Sequence, residues 1–304
     1  MLMKKNIVFK NNQINLSGTL YFPPGFDGTQ TYPTVICVHP AGSVKEQSPA
    51  LYAAALSAKG LVVLTFDASH QGASEGEPRY LEDPFRRVED IRCAVDYINT
   101  LSFIHPDKIG VLGICAGAGY AISAATTDRR IKAIAGVSGT DAGAAIREGW
   151  DGNLPVEEQI HMLEAVSAQR TAEVKGATVR YMPYVPETVD EGTSVTMREA
   201  HDYYRTPRAG HPRSCNKVMM TSLDKLLTFS ATDRIDTLLT QPLLLIVGER
   251  SDARRFVDTF YSKAASQDKE VFVVKGATHV DLYDVKHYVE PAFEKIAGFF
   301  SAKL

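Results

Sequence analysis

The stretch Gly113-Ile-Cys115-Ala-Gly117 constrains this chain more than any other. The apolar run at 108–113 reads as a buried strand, and the small residues at 120–125 are helix-compatible. A strand that turns at once into a helix, with glycine two residues to either side of a nucleophile, is a nucleophile elbow. Its central residue is held in a strained backbone conformation, and side chains at the flanking positions would collide as strand meets helix. The helix that follows aims its N-terminus at the sulfur of Cys115, which favours the thiolate. Taken alone, the pattern also describes an inert, buried cysteine in a glycine-rich turn, so a decision needs partners elsewhere in the chain.

Strand and helix patterns alternate around this turn. Residues 33–38, 61–66, 131–137, 242–248 and 269–275 read as strands, most of them continuously apolar. Residues 47–59, 84–101, 254–267 and 285–302 read as helices. Residues 5–23 read as an antiparallel pair turning at Asn11-Asn12. This rhythm predicts an α/β fold with a mainly parallel sheet covered on both faces and an antiparallel edge. The rhythm stops at 142–232, where only 156–170 and a region around 195–205 look helical. That segment is expected to be an insertion over the carboxyl edge of the sheet, leaving 1–141 and 233–304 as the core. Ligands bind at that edge in such folds.

An elbow needs a base, an acid to orient it and an oxyanion hole. His279, in Gly276-Ala-Thr-His279, follows the last strand on a loop, at the same edge as Cys115, and is the expected base. Asp252, in Gly248-Glu-Arg-Ser-Asp252, is the expected acid, with Glu249 of the same loop as its rival. The oxyanion donors are expected to be the backbone N–H groups of Ala116 and Ala41. Pro40 has no N–H, and Gly42 ranks second to Ala41. His39 and Asp67 read as loop-holding residues, and Cys37 and Cys93 as packing residues. His70 and Tyr184 are candidates for the pocket wall, and Tyr181, Tyr203 and Tyr204 either line it or pack the insertion.

Net charge is −3, with no charge block or basic stripe, which argues against nucleic acid and anionic membranes as partners. The N-terminus has two lysines but no apolar stretch after them, so no signal peptide is expected. The four cysteines make no Cys-x-x-Cys spacing and no disulfide scaffold, which fits a reduced, cytoplasmic protein. No metal-ligand spacing and no phosphate loop occurs, so no cofactor is expected. A homo-oligomer is compatible with the sequence.

The motifs at 39–42, 67–76, 113–117, 248–252 and 276–279, taken together, resemble the α/β-hydrolase family over 30–140 and 240–304. The cysteine in the elbow is similar to dienelactone-hydrolase-like members. The resemblance implies an eight-stranded sheet, a Cys115–His279–Asp252 triad and no cofactor. The expected activity is hydrolysis of a small-molecule ester, thioester or lactone through a covalent acyl-enzyme. An acyltransferase using the same triad and a non-catalytic binding protein on the same scaffold are the competing readings.

Overall fold

The continuous apolar runs form the middle of one sheet in the computed structural model, which describes residues 2–304. β1 (Lys4–Asn11) and β2 (Ile14–Tyr21) are an antiparallel hairpin that turns at Asn12. β3 (Tyr32–Val38), α1 (Ser48–Ser57), β4 (Val62–Phe66) and α2 (Pro84–Ile98) follow. Next come β5 (Ile104–Ile114), α3 (Ala116–Thr127) and β6 (Ile131–Val137). A long excursion holds α4 (Ala142–Glu148), α5 (Val156–Val174), β7 (Tyr181–Met182), α6 (Val195–Arg205), β8 (Val218–Met219), α7 (Leu223–Thr228) and α8 (Ile235–Leu238). The chain closes with β9 (Leu243–Gly248), α9 (Arg254–Lys263), β10 (Lys269–Val274), α10 (Asp281–Asp284) and α11 (Lys286–Lys303).

Eight strands pair in the order β1-β2-β4-β3-β5-β6-β9-β10. β4 through β10 are parallel in this order, and the hairpin supplies the antiparallel edge. Side chains alternate across the pleat between two apolar cores. In β3, Ile36 and Val38 join residues of α2 and α3 on one face, while Val35 and Cys37 join residues of α1 and α11 on the other. Burial on both faces is why these strands carry no polar alternation.

This is the α/β-hydrolase fold expected from the sequence, with a mostly parallel eight-stranded sheet and helices on both faces. Within the excursion, β7 and β8 pair as a small antiparallel ribbon beside the helices. α10, α4, α7 and α8 are short helices that the periodicity does not announce. Among the described residues, no helix is long and apolar enough to cross a membrane. The parallel order brings the ends of β3, β5, β9 and β10 to one edge, and the loops there carry the site.

Candidate active site

Cys115 stands between β5 and α3 with φ 55° and ψ −124°, a conformation that L-residues other than glycine rarely adopt. Such a conformation costs about 1–3 kcal/mol and persists only where the surroundings impose it. Here the Cys115 N–H donates to Val137 O at 2.9 Å, and its carbonyl accepts from Ala118 N at 2.9 Å and Thr140 N at 3.1 Å. The flanking glycines are required by space. A Cβ on Gly113 would lie 2.3 Å from Gly117 O, and one on Gly117 would lie 2.5 Å from Val38 O.

His279 follows β10 on a loop held by its neighbours. Ser138 Oγ donates to the His279 carbonyl at 3.0 Å. Gly276 N donates to Glu249 Oε2 at 2.8 Å, and Thr278 Oγ1 donates to Glu199 Oε2 at 2.7 Å. The imidazole is buried, with the Trp150 ring perpendicular to it at 5.4 Å. Its Nε2 is 3.1 Å from the Tyr283 hydroxyl. Burial pushes the Cys115 thiol up, but the charge of the His279 imidazole and the donors of His279, Tyr283 and Ala116 facing the sulfur pull it below its ordinary value. The sulfur's hydrogen-bond partner is Thr140 Oγ1 at 3.9 Å. Burial pushes His279 down, and the facing Cys115, with smaller help from Asp252 and Glu199, more than offsets that and raises it. The two shifts are what a thiolate–imidazolium pair requires.

The acid expected to orient the base is not bonded to it in this geometry. Asp252 is exposed and makes no hydrogen bond to His279, and the buried Nδ1 of His279 has no partner among the described residues. The turn explains the placement. Ser251 N donates to Gly248 O at 3.1 Å and Ala253 N to Ser251 Oγ at 3.2 Å, which directs the intervening Asp252 outward. Asp252 reaches His279 through its charge. Glu249, the rival acid, is engaged with Gly276 instead.

The loop after β3 is braced from below. His39 is fully buried, its Nδ1–H donating to Pro40 O at 2.7 Å and its Nε2 accepting from Ala68 N at 3.1 Å. Burial and the Arg87 charge hold His39 well below the usual histidine range, so it is neutral and serves the loop rather than the chemistry. Asp67 accepts from the Lys45 N–H at 2.7 Å, Lys45 Nζ at 2.8 Å and Ala73 N at 2.8 Å. Ala41 and Ala116 both line the cavity, and no protein acceptor takes the Ala41 N–H among the described residues. His70 does not line that cavity, contrary to expectation. Its loop folds back so that Nδ1 meets Pro78 O at 3.1 Å and the ring packs on Gly76.

The cavity itself is about 460 Å³ and opens against Cys115 and His279. Met162, Met182, Met197, Leu223 and Trp150 give it an apolar wall, largely from the 142–232 segment, and Tyr184 and Tyr204 also line it. The carboxylate in its wall is Glu82, buried and accepting from Tyr120 OH at 2.8 Å and Tyr184 OH at 3.2 Å, with Arg87 behind it. Sequence reasoning missed Glu82, Tyr120, Trp150 and Tyr283. The last had a signal, standing one helical turn beyond His279. Glu82 had none, since it reads as an ordinary polar residue ahead of a helix.

A family model described as the alpha/beta hydrolase family matches residues 35–289. The uncharacterized protein YcjY of Escherichia coli is 40% identical over 306 residues, covering 100% of both chains. The crystal structure of the hypothetical protein PA2218 from Pseudomonas aeruginosa superimposes with a TM-score of 0.93 at 35% identity, covering 100% of this chain and 94% of that one. The acyltransferase DrtE of Aspergillus calidoustus is 27% identical over 271 residues, covering 84% of this chain and 82% of its own.

Proposed function

The chain belongs to the alpha/beta hydrolase family of enzymes, and from that premise we propose that it transfers acyl groups through Cys115, as a hydrolase of esters, thioesters or lactones. One observation carries the reading: Cys115, held at positive φ on the elbow, faces a buried imidazole across an apolar cavity, and each group shifts the other toward its charged form. A sulfur that only packed the core would need neither the strain nor the base.

The Cys115 thiolate attacks the acyl carbonyl, and the N–H groups of Ala116 and Ala41 stabilise the tetrahedral oxyanion. The carbonyl π-bond re-forms as the bond to the leaving oxygen or sulfur breaks, and His279 gives that atom its proton. Water then adds to the thioester, passing its proton to His279, and the C–S bond breaks to release the acid and the thiolate. Asp252 is the carboxylate we assign to the imidazolium. Its charge already favours that form, and the vacant Nδ1 is the atom it would orient. A dienelactone-like substrate range is consistent with the cysteine in the elbow, since a thiolate leaves readily and suits activated acyl groups. Mass spectrometry of the protein after exposure to 4-nitrophenyl esters and acyl thioesters tests the reading. An acyl adduct on the peptide containing Cys115 is expected; turnover without one, or turnover retained in Cys115→Ala, would overturn it.

Transfer to an acceptor other than water is the second reading. It is favoured by the hydroxyl of Tyr283, which occupies the hydrogen-bonding position at His279 Nε2 that a hydrolytic water needs. The relative named as an acyltransferase is consistent with it.

A further inference from the structure

The structure assigns to Tyr204 and Tyr283 a subsite for the acceptor's oxygen: a pair of phenols beside Cys115 that holds an incoming hydroxyl, alcohol in preference to water, for attack on the acyl group. The inference rests on the acyl-enzyme reading above and deepens it.

Three observations converge. Tyr204 OH is buried with no partner in hydrogen-bonding geometry, only the Ser43 and Tyr283 hydroxyls facing it, and Tyr204 lines the cavity beside Cys115. A buried hydroxyl left unmet destabilises the fold, a cost that a site retains where a ligand will meet it. Tyr283 OH is 3.1 Å from His279 Nε2, the atom that must take the acceptor's proton, so an acceptor's proton reaches that nitrogen through the Tyr283 hydroxyl. The two rings meet edge to face at 6.5 Å, and Tyr203 packs between their elements at 4.9 Å from Tyr204 and 5.1 Å from Tyr283. Tyr203 is itself anchored, its OH accepting from Ser48 N at 2.8 Å. The phenols are therefore held rigidly on two separate elements, α6 and α10.

Burial, with the charges around it, holds both phenols well above their ordinary titration, so each stays a neutral hydroxyl able to donate and accept. An alcohol oxygen entering here accepts from Tyr204 and gives its proton to the Tyr283 oxygen, whose own proton passes to Nε2. Its oxygen then bonds the acyl carbon, the C–S bond breaks, the electrons return to Cys115 as thiolate, and His279 carries the proton. The cavity that these two tyrosines line is largely apolar, with Val280, Ala200 and Met197 among its walls. A carbon-bearing alcohol gains from that wall and water does not.

The test compares the full-length protein with Tyr204→Phe and Tyr283→Phe. It measures the burst of 4-nitrophenolate from a 4-nitrophenyl ester, and the ratio of ester to acid formed with 1-butanol present. Tyr204→Phe is expected to lower the ester-to-acid ratio about tenfold or more, with the burst reporting acylation separately. Its melting temperature should stay level or rise, because the deleted hydroxyl has no partner to lose. Tyr283→Phe vacates the place at Nε2, and hydrolysis of the acyl-enzyme should quicken relative to transfer. An unchanged ratio in both variants overturns the subsite, as does a fall in the melting temperature of Tyr204→Phe, which would mean that its hydroxyl holds the fold. Absence of a burst in the unaltered protein is a different result, and overturns the acyl-enzyme reading itself.

Discussion

The ring of Tyr184 lies on Gly42, so close that a Cβ at Gly42 would stand 2.6 Å from the ring's Cδ2. Gly42 also has φ +68°, so two independent constraints select glycine there. Ser214 Oγ donates to the Gly42 carbonyl at 2.6 Å. The loop to which the Ala41 oxyanion donor is assigned is thus shaped from above by the excursion between β6 and β9, as well as from below by His39 and Asp67. The excursion contributes to the geometry of the chemistry as well as to the walls of the pocket.

Asn216 fixes the Tyr184 end of this contact. Its Oδ1 accepts from both Tyr184 N and Val185 N at 2.9 Å, and its Nδ2 donates to Val185 O at 2.9 Å. Its φ of 52° is one that asparagine tolerates. Asn216→Ala should strand two backbone donors and lower stability by about 2 kcal/mol or more in urea unfolding. Activity should fall further than stability explains, because Tyr184 is then free to leave Gly42. Asn216→Asp keeps the acceptor but sets its second oxygen against Val185 O and Glu187 Oε1, so it should recover part of the activity. Equal activity in the alanine and aspartate variants would disconnect this clamp from the oxyanion loop.

The titration of the nucleophile offers a second test. The Cys115 shift is downward from 9.0 and the His279 shift is upward from 6.5, so the thiolate extends to lower pH and the imidazolium to higher pH. The two displacements move the titrations toward each other, the direction that favours the ion pair. In His279→Ala the thiol keeps the penalty of burial and loses its main downward pull. Its thiolate absorbance and its alkylation by iodoacetamide should therefore both titrate at higher pH than in the unaltered protein. The reciprocal holds in Cys115→Ala: burial then dominates His279, whose NMR titration should move down. Unmoved titrations would separate the two groups.

Much of the core could be read from residues alone because its physics is local. A strand buried on both faces must be continuously apolar, as 61–66 and 243–247 are. The elbow announces itself through Gly113 and Gly117, whose absent side chains are a steric necessity. The excursion is harder to read. α5 runs nineteen residues yet buries only Val166, so tertiary contact imposes almost no period on it. Trp150 reaches His279 from an irregular stretch, and Glu82 meets Tyr120 and Tyr184 only after three distant segments converge. The outward turn of Asp252 depends on hydrogen bonds of Ser251 that no residue pattern encodes.

That turn makes the two loop carboxylates separable. Asp252→Asn removes the charge that favours imidazolium and the group assigned to Nδ1, and should lower kcat about tenfold or more. Glu249→Gln keeps an oxygen acceptor for Gly276 N at the same place, so the His279 loop stays put and activity should change about threefold or less. Stability should scarcely change in Asp252→Asn, whose side chain is exposed. If Glu249→Gln proves the more damaging of the two, the acid is Glu249.

The elbow glycines are the most severe test of the frame, because their role is purely steric. A methyl at Gly117 would meet Val38 O at 2.5 Å and His39 O at 2.8 Å, both backbone atoms in the approach to the oxyanion loop. Neither can rotate away as a side chain would, so α3 and the loop after β3 must move apart. Gly117→Ala should therefore cost about 1–3 kcal/mol of stability and also displace Ala41 from Ala116. The two consequences can be read separately. Urea unfolding gives the first, and the acylation burst, measured well below the melting temperature, gives the second and should fall about 100-fold, as for loss of one oxyanion donor. Gly298, with no atom near its would-be Cβ, is the control: Gly298→Ala should leave the burst unchanged and the helix slightly more stable. A Gly117→Ala protein with a normal burst would show that the loop's position does not set the chemistry.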